Sequence, residues 1–64
     1  MKYPNVEVQL SGEDGNTFSI IGKTRRALRK ANVPDDEVEQ FTNEATAGNY
    51  EDAIRVVGEW VNVT

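Results

Sequence analysis

Apolar positions change their period along this chain, and each change marks an element. Val6, Val8 and Leu10 alternate with Glu7 and Gln9, which predicts a strand over residues 6–10 with one buried face. Pro4 just ahead of it suits a strand start at a sheet edge. Residues 11–16 (SGEDGN) are turn formers. From Asn16 the spacing becomes helical. Ile20, Ile21, Thr24, Ala27, Leu28 and Ala31 share one face at about 100° per residue, with Phe18 at its edge. Lys23, Arg26 and Lys30 fall opposite, and Arg25 and Arg29 flank them. With Asn16 as N-cap, the spacing predicts a helix over 17–31. The competing reading makes Thr17 to Ile21 the second strand of a hairpin.

The first helix is expected to stop at Asn32-Val33-Pro34, because the residue before a proline is pushed out of the helical region. Pro34 suits a first helical turn, and Asp35, Asp36 and Glu37 behind it suit the positive end of a helix dipole. Val38, Phe41 and Ala45 keep helical spacing toward Ala47-Gly48, where Gly48 is the expected C-terminal stop. Asn49 caps a third helix, with Asp52 in a capping-box position. Tyr50, Ala53, Ile54, Val57, Trp60 and Val61 form its apolar stripe. Gly58 costs that helix about 1 kcal/mol relative to Ala, which suggests close packing there. The chain ends in an alternating run, Trp60 to Thr64, read as a short strand pairing with the first, parallel or antiparallel. The expected architecture is α+β: one domain over residues 1–64, β-α-α-α-β, with helices packed on one face of a two-stranded sheet. So short a sheet must lean on the helices. The expected core is Phe18, Ile21, Leu28, Phe41, Ile54, Val57 and Trp60.

Composition narrows the chemistry. At 64 residues and 38% apolar content, the core is small, and a monomer or a weak homodimer is expected. Cys and His are both absent, which removes thiol nucleophiles, disulfides, the usual zinc sites and imidazole acid–base catalysis. No enzyme activity, cofactor or metal is expected. No apolar run approaches the roughly 20 residues of a membrane span, and the N-terminus does not resemble a signal peptide, so a cytoplasmic location without membrane contact is the expectation.

Two motif fragments invite nucleotide or RNA readings. Gly22-Lys23-Thr24 is how a phosphate-binding P-loop ends, but the first glycine of that motif belongs at position 17, which is Thr17. Ile20-Ile21-Gly22-Lys23 begins like the loop of KH domains, whose second glycine is replaced by Arg25. Both fragments read better as helix surface. Gly12 and Gly15 flank a strand–helix junction where a helix N-terminus would welcome an anion, but Glu13 and Asp14 repel one.

Charge is the most informative feature. Residues 1–32 carry six Lys/Arg and three Asp/Glu, net +3; residues 33–64 carry one Arg and eight Asp/Glu, net −7; together they give the −4 of the whole chain. The candidate binding residues are therefore Lys23, Arg25, Arg26, Arg29 and Lys30 on the first helix. Phosphate backbones are one target for such a stripe. Against that reading, the chain is acidic overall and no aromatic is interleaved with the basic residues.

The run VEVQLSGEDGNTFSIIGKTRRALRKANV, then PDDEVEQFTNEATAGNYEDAI and the terminal WVNV, resembles a family of small uncharacterised bacterial and bacteriophage proteins. Their shared pattern is a short strand, Gly-Glu-Asp-Gly-Asn, a basic amphipathic helix, Glu-Ala-Thr-x-Gly-x-Tyr and Trp-Val-x-Val. Asn49 stands where an Asp often precedes the Tyr, and both residues cap helices. The resemblance implies no activity; it implies mobile-element biology, in which small acidic proteins bind host machinery. The expectation is a non-enzymatic protein-interaction module with an unidentified protein partner. Its alternative is a nucleic-acid-binding accessory protein using the basic helix.

Overall fold

The computed structural model describes residues 2–10 and 16–64; the turn expected over residues 11–15 lies outside them. The described elements run β1 (Tyr3–Val8), α1 (Thr17–Lys30), α2 (Asp35–Ala45), α3 (Tyr50–Trp60) and β2 (Val61–Val63). The expected α+β architecture is present. β1 and β2 pair in parallel, so the first and last elements lie side by side and the helices connect them. Residues 17–21 are helical, not a hairpin strand.

β1 differs from the expected residues 6–10. It begins three residues earlier and ends at Val8, although Leu10 still donates its amide to the Thr64 carbonyl. Pro4 lies inside the strand rather than before it. A register shift between Tyr3 and Glu7 accommodates it, at a sheet too narrow to need its missing N–H. Val6 and Val8 point into the core while Pro4, Asn5 and Glu7 face outward, the period-two alternation seen in the sequence.

Local side-chain chemistry sets the helix ends. Asn16 caps α1, its side-chain oxygen accepting from the Phe18 amide at 2.9 Å. The other end is not set by Pro34, as expected, but by Asn32, whose φ of 65° places it in the left-handed region. The Val33 amide donates to the Leu28 carbonyl at 3.1 Å and the Asn32 amide to the Arg29 carbonyl at 3.0 Å. With Val33 and Leu28 both buried, this is a Schellman cap with its hydrophobic contact. Pro34 becomes the N-cap of α2 rather than its first residue. The last turn of α2 closes at Ala45 with Thr46 as C-cap, so Gly48 does not terminate it. Gly48 is needed for space instead. A Cβ there would run into the Asp52 side chain, approaching its Cβ to 2.9 Å. That side chain completes the capping box of α3: the Asp52 amide donates to Asn49 Oδ1 at 3.0 Å and the Asn49 amide to Asp52 Oδ2 at 3.2 Å. Gly58 meets nothing within 4 Å, so the expected close packing is absent. Trp60 is the last helical residue rather than the first of a strand, and the chain passes directly into β2.

The core gathers Ile20, Ile21 and Leu28 of α1, Val38 and Phe41 of α2, and Val57 and Trp60 of α3 beneath Val6, Val8 and Val61. Five of the seven expected core side chains are buried, and Ile54 is half-buried against them. Phe18 is not in the core: it is 82% exposed. Val56, absent from the expected stripe of α3, is buried. Trp60 holds the N-terminal strand to α2 and α3. Its ring stacks on Tyr3 at 6.0 Å between centroids and meets the edge of Phe41 at 5.7 Å. Lys2 Nζ lies 4.1 Å from its centroid. The indole N–H donates to Glu44 Oε1 at 3.0 Å, and Gln40 donates to the other carboxylate oxygen at 3.1 Å.

Candidate functional site

The basic residues of α1 do not form one patch. Successive turns at 3.6 residues place Phe18, Gly22, Arg25 and Arg29 on one flank of the helix and Arg26 at its crest. Lys23 and Lys30 lie on the opposite flank, about 20° from each other around the axis. Neighbouring elements confirm the division. Lys30 lines a shallow groove against β1 with Ala27, Ala31 and Asn5. Arg25 and Arg29 line a groove of about 410 Å³ between α1 and α2, whose other wall carries Asp35, Glu39, Thr42 and Asn43.

That groove brings together charges of both signs without joining them. Among the described residues the ion pairs within 4.0 Å are those of Arg55 with Asp52 and Glu59, on α3. Arg25 and Arg29 thus face Asp35 and Glu39 across open space. The Nε–H of Arg25 is buried and has no hydrogen-bond partner among the described residues. Thr42, on the opposite wall, donates its hydroxyl to the Val38 carbonyl at 2.9 Å. A buried donor without an acceptor is rare in folded proteins and costs about 1–3 kcal/mol.

The sequence misplaced the aromatic on this face. Phe18 occupies the first turn of α1, on the same flank as Arg25 and Arg29, with its ring in solvent. The basic residues therefore do have an aromatic beside them. Gly22 follows one turn on, and an added Cβ there would lie 3.8 Å from an Arg26 guanidinium nitrogen, so Arg26 leans back toward it. The resulting surface runs from an exposed ring, over a low glycine step, to three guanidinium groups.

The P-loop fragment is inside the helix. Thr24 is fully buried, and its hydroxyl donates to the Ile20 carbonyl at 2.9 Å. Gly22 and Lys23 are helical, so these residues do not form a loop that wraps a phosphate. The same holds for the KH-like fragment Ile20-Ile21-Gly22-Lys23.

Two carboxylates titrate abnormally or perturb a neighbour, and both belong to the Trp60 corner. Hydrogen bonds from the Trp60 indole, then from Gln40, hold the Glu44 carboxyl below its usual range. The Tyr3 hydroxyl donates to Glu37 Oε1 at 2.5 Å, and chiefly through that bond its ionisation is pushed up to about 12. Neither lies on the α1 face. Among the described residues no group of His, Cys, Asp or Glu is arranged to hold a metal ion, and no helix is long and apolar enough to cross a membrane. Comparison of the chain with protein-family models, with curated proteins and with solved structures found no match in any of the three.

Proposed function

We propose that this chain is a non-enzymatic protein-interaction module that docks through the outer face of α1. One observation carries the reading: a phenylalanine ring that is 82% exposed heads the helix flank that bears Arg25 and Arg29. Leaving such a ring in water forgoes about 1.5–3 kcal/mol of burial, and α1 has an apolar face of its own that does not need it. Exposed aromatics beside arginines are the composition of interface hot spots, the ring filling a pocket and the guanidinium forks pairing with carboxylates. The partner is thus a protein surface with an apolar pocket and acidic residues. Its resemblance to bacterial and phage proteins makes a cytoplasmic host protein our choice of partner.

The same ring supports a second reading, because aromatic–cation surfaces also stack the bases of single-stranded nucleic acid. It ranks below the first for electrostatic reasons. Asp35 and Glu39 stand across the groove from Arg25 and Arg29, and the whole chain is net −4, so a polyanion meets repulsion where it would need attraction.

Affinity capture from bacterial lysate with the wild-type chain and with Phe18→Ser and Arg26→Glu, read by mass spectrometry, tests the assignment. A protein retained by the wild type and lost by both variants, which stay folded, is the expected result. A gel shift with DNA or RNA is expected to show nothing tighter than about 10 micromolar at physiological salt. A submicromolar complex abolished by Lys23→Glu/Arg26→Glu reverses the order of the two readings.

A further inference from the structure

The groove between α1 and α2 says more about the partner than the exposed ring does. Its walls carry one pair of charges each, Arg25 and Arg29 against Asp35 and Glu39, and both pairs are spaced one helical turn apart. Residues four apart on a helix have side chains about 5–6 Å from each other at Cβ. The facing pairs have the composition to neutralise one another, yet no ion pair closes the groove. The buried Nε–H of Arg25 has no acceptor among the described residues.

Resting on the docking reading above, we infer that the groove receives a helical segment of the partner lying along it, with an acidic residue on the side facing α1 and a basic residue on the side facing α2. The acidic side chain reaches the guanidinium ends of Arg25 and Arg29 from the groove; a guanidinium fork matches a carboxylate with two parallel bonds. The basic side chain meets Asp35 and Glu39. A ligand with negative charge alone satisfies one wall and is repelled by the other, and a ligand with positive charge alone meets the reverse. The groove thus discriminates by repulsion as well as by attraction. Seven residues separate Phe18 from Arg25, a rise of about 10 Å. An apolar residue two turns along the partner helix therefore falls on the Phe18 ring. Phe18 supplies the affinity, and the groove selects the charge pattern.

Selection from a phage-displayed random peptide library on the immobilised full chain tests this without knowing the partner. The enriched sequences are expected to carry Asp or Glu two or five residues from Lys or Arg, which puts the two charges on opposite sides of a helix, with an aromatic or aliphatic residue about two turns away. On Asp35→Asn/Glu39→Gln the basic residue is expected to drop out of the consensus while the acidic one stays; on Arg25→Gln/Arg29→Gln the reverse. All four side chains line an open groove, and a thermal melt checks that the variants remain folded. The best synthetic peptide is expected to lose about threefold to tenfold in affinity when its Glu becomes Gln. Binding of the wild-type peptide should also shift the Arg25 Nε–Hε resonance. A consensus of acidic residues alone, or one unchanged by either pair of substitutions, overturns the groove assignment. If Phe18→Ser still abolishes enrichment in that case, the docking reading survives it. Absence of any enrichment on the wild-type chain sinks both. Self-association that depends on Arg25 and Arg29, seen as concentration-dependent sedimentation, overturns the foreign partner in favour of a second copy.

Discussion

Two parts of this molecule place an aromatic ring among charged side chains, at Trp60 and at Phe18, and they end in opposite states. Around Trp60 every group has an occupation: Tyr3 and Phe41 cover the ring, Lys2 lies over it, and Glu44 takes its N–H while held by Gln40. Around Phe18 the ring is in solvent, Arg25 keeps a buried N–H without an acceptor among the described residues, and two carboxylates face two guanidinium groups across a gap. Residue type does not separate the two regions. The number of elements that converge does. Trp60 ends α3 where β1 and α2 meet it, so one ring joins α3 to side chains from two other elements. Phe18 begins α1 on the flank turned away from the sheet, with its ring exposed. The first region holds the fold together, and the second is the face proposed to dock a partner.

The sharpest way to break the comparison is to remove the occupied ring. Trp60→Ala should cost about 3–5 kcal/mol, most of what a domain this small has to lose, and should leave no native baseline in a urea melt followed by circular dichroism. A cooperative melt with an unchanged midpoint would refute the role given to Trp60.

Next in size is the turn between α1 and α2, which sets the geometry of the proposed groove. Asn32 holds a left-handed backbone that a β-branched residue tolerates poorly, so Asn32→Val should destabilise by about 1–2 kcal/mol. Asn32→Gly should be neutral or slightly stabilising by the same measurement. If both behave alike, the Schellman cap is not what ends α1.

What could be read from the sequence, and what could not, follows the same division between local and tertiary causes. Asn16 and Asn49 were identifiable as caps because a capping side chain bonds its own first turn. The α1 stripe through Ile20, Ile21, Thr24 and Leu28 was identifiable because one neighbour side suffices to bury it. Phe18 sat at the edge of that stripe, and whether an edge residue is covered depends on how far the adjacent element extends, which periodicity does not contain. Val56 failed in the other direction: α3 packs against α2, α1 and β2, so its buried face is wider than one stripe. The basic residues were all correctly found on α1, but the placing of Arg25 and Arg29 in one groove and Lys30 in another depends on where α2 and β1 lie. Asn32 was overlooked although its signal was present, an asparagine followed by an apolar residue past the last helical turn. Pro34 offered a simpler reason for the same boundary.

Smaller effects should separate the regions by pH. Glu44 is held below its usual range in the folded chain, so its contribution is present above its unfolded value of 4.5 and fades as pH falls through the lower folded one. Tyr3 is raised, so its contribution is complete below its ordinary value of 10.0 and fades as pH climbs toward about 12. Glu44→Gln should flatten the acid side of a melting-temperature profile, and Tyr3→Phe the alkaline side. Arg25→Gln should alter neither. Gly58→Ala, in open space on α3, should raise stability by up to about 1 kcal/mol, and a loss there would mean an unseen neighbour.

The smallest expected effect on stability is the most informative about function. Phe18→Ser removes a whole aromatic ring from a 64-residue domain, a change that would be ruinous in the core. At 82% exposure the ring has little burial to lose, and the Asn16 cap bonds the Phe18 backbone rather than its side chain, so the cap survives. Serine and phenylalanine have nearly equal helix propensities, so in a first turn the exchange costs a few tenths of a kcal/mol at most. The unfolding free energy from a urea melt should therefore change by no more than about 0.5 kcal/mol, within the range of ordinary surface substitutions. Solubility should rise, since an exposed ring beside a low glycine step is a sticky surface. A loss above about 2 kcal/mol would mean that the ring is covered in the folded chain, and the docking face on α1 would lose its anchor.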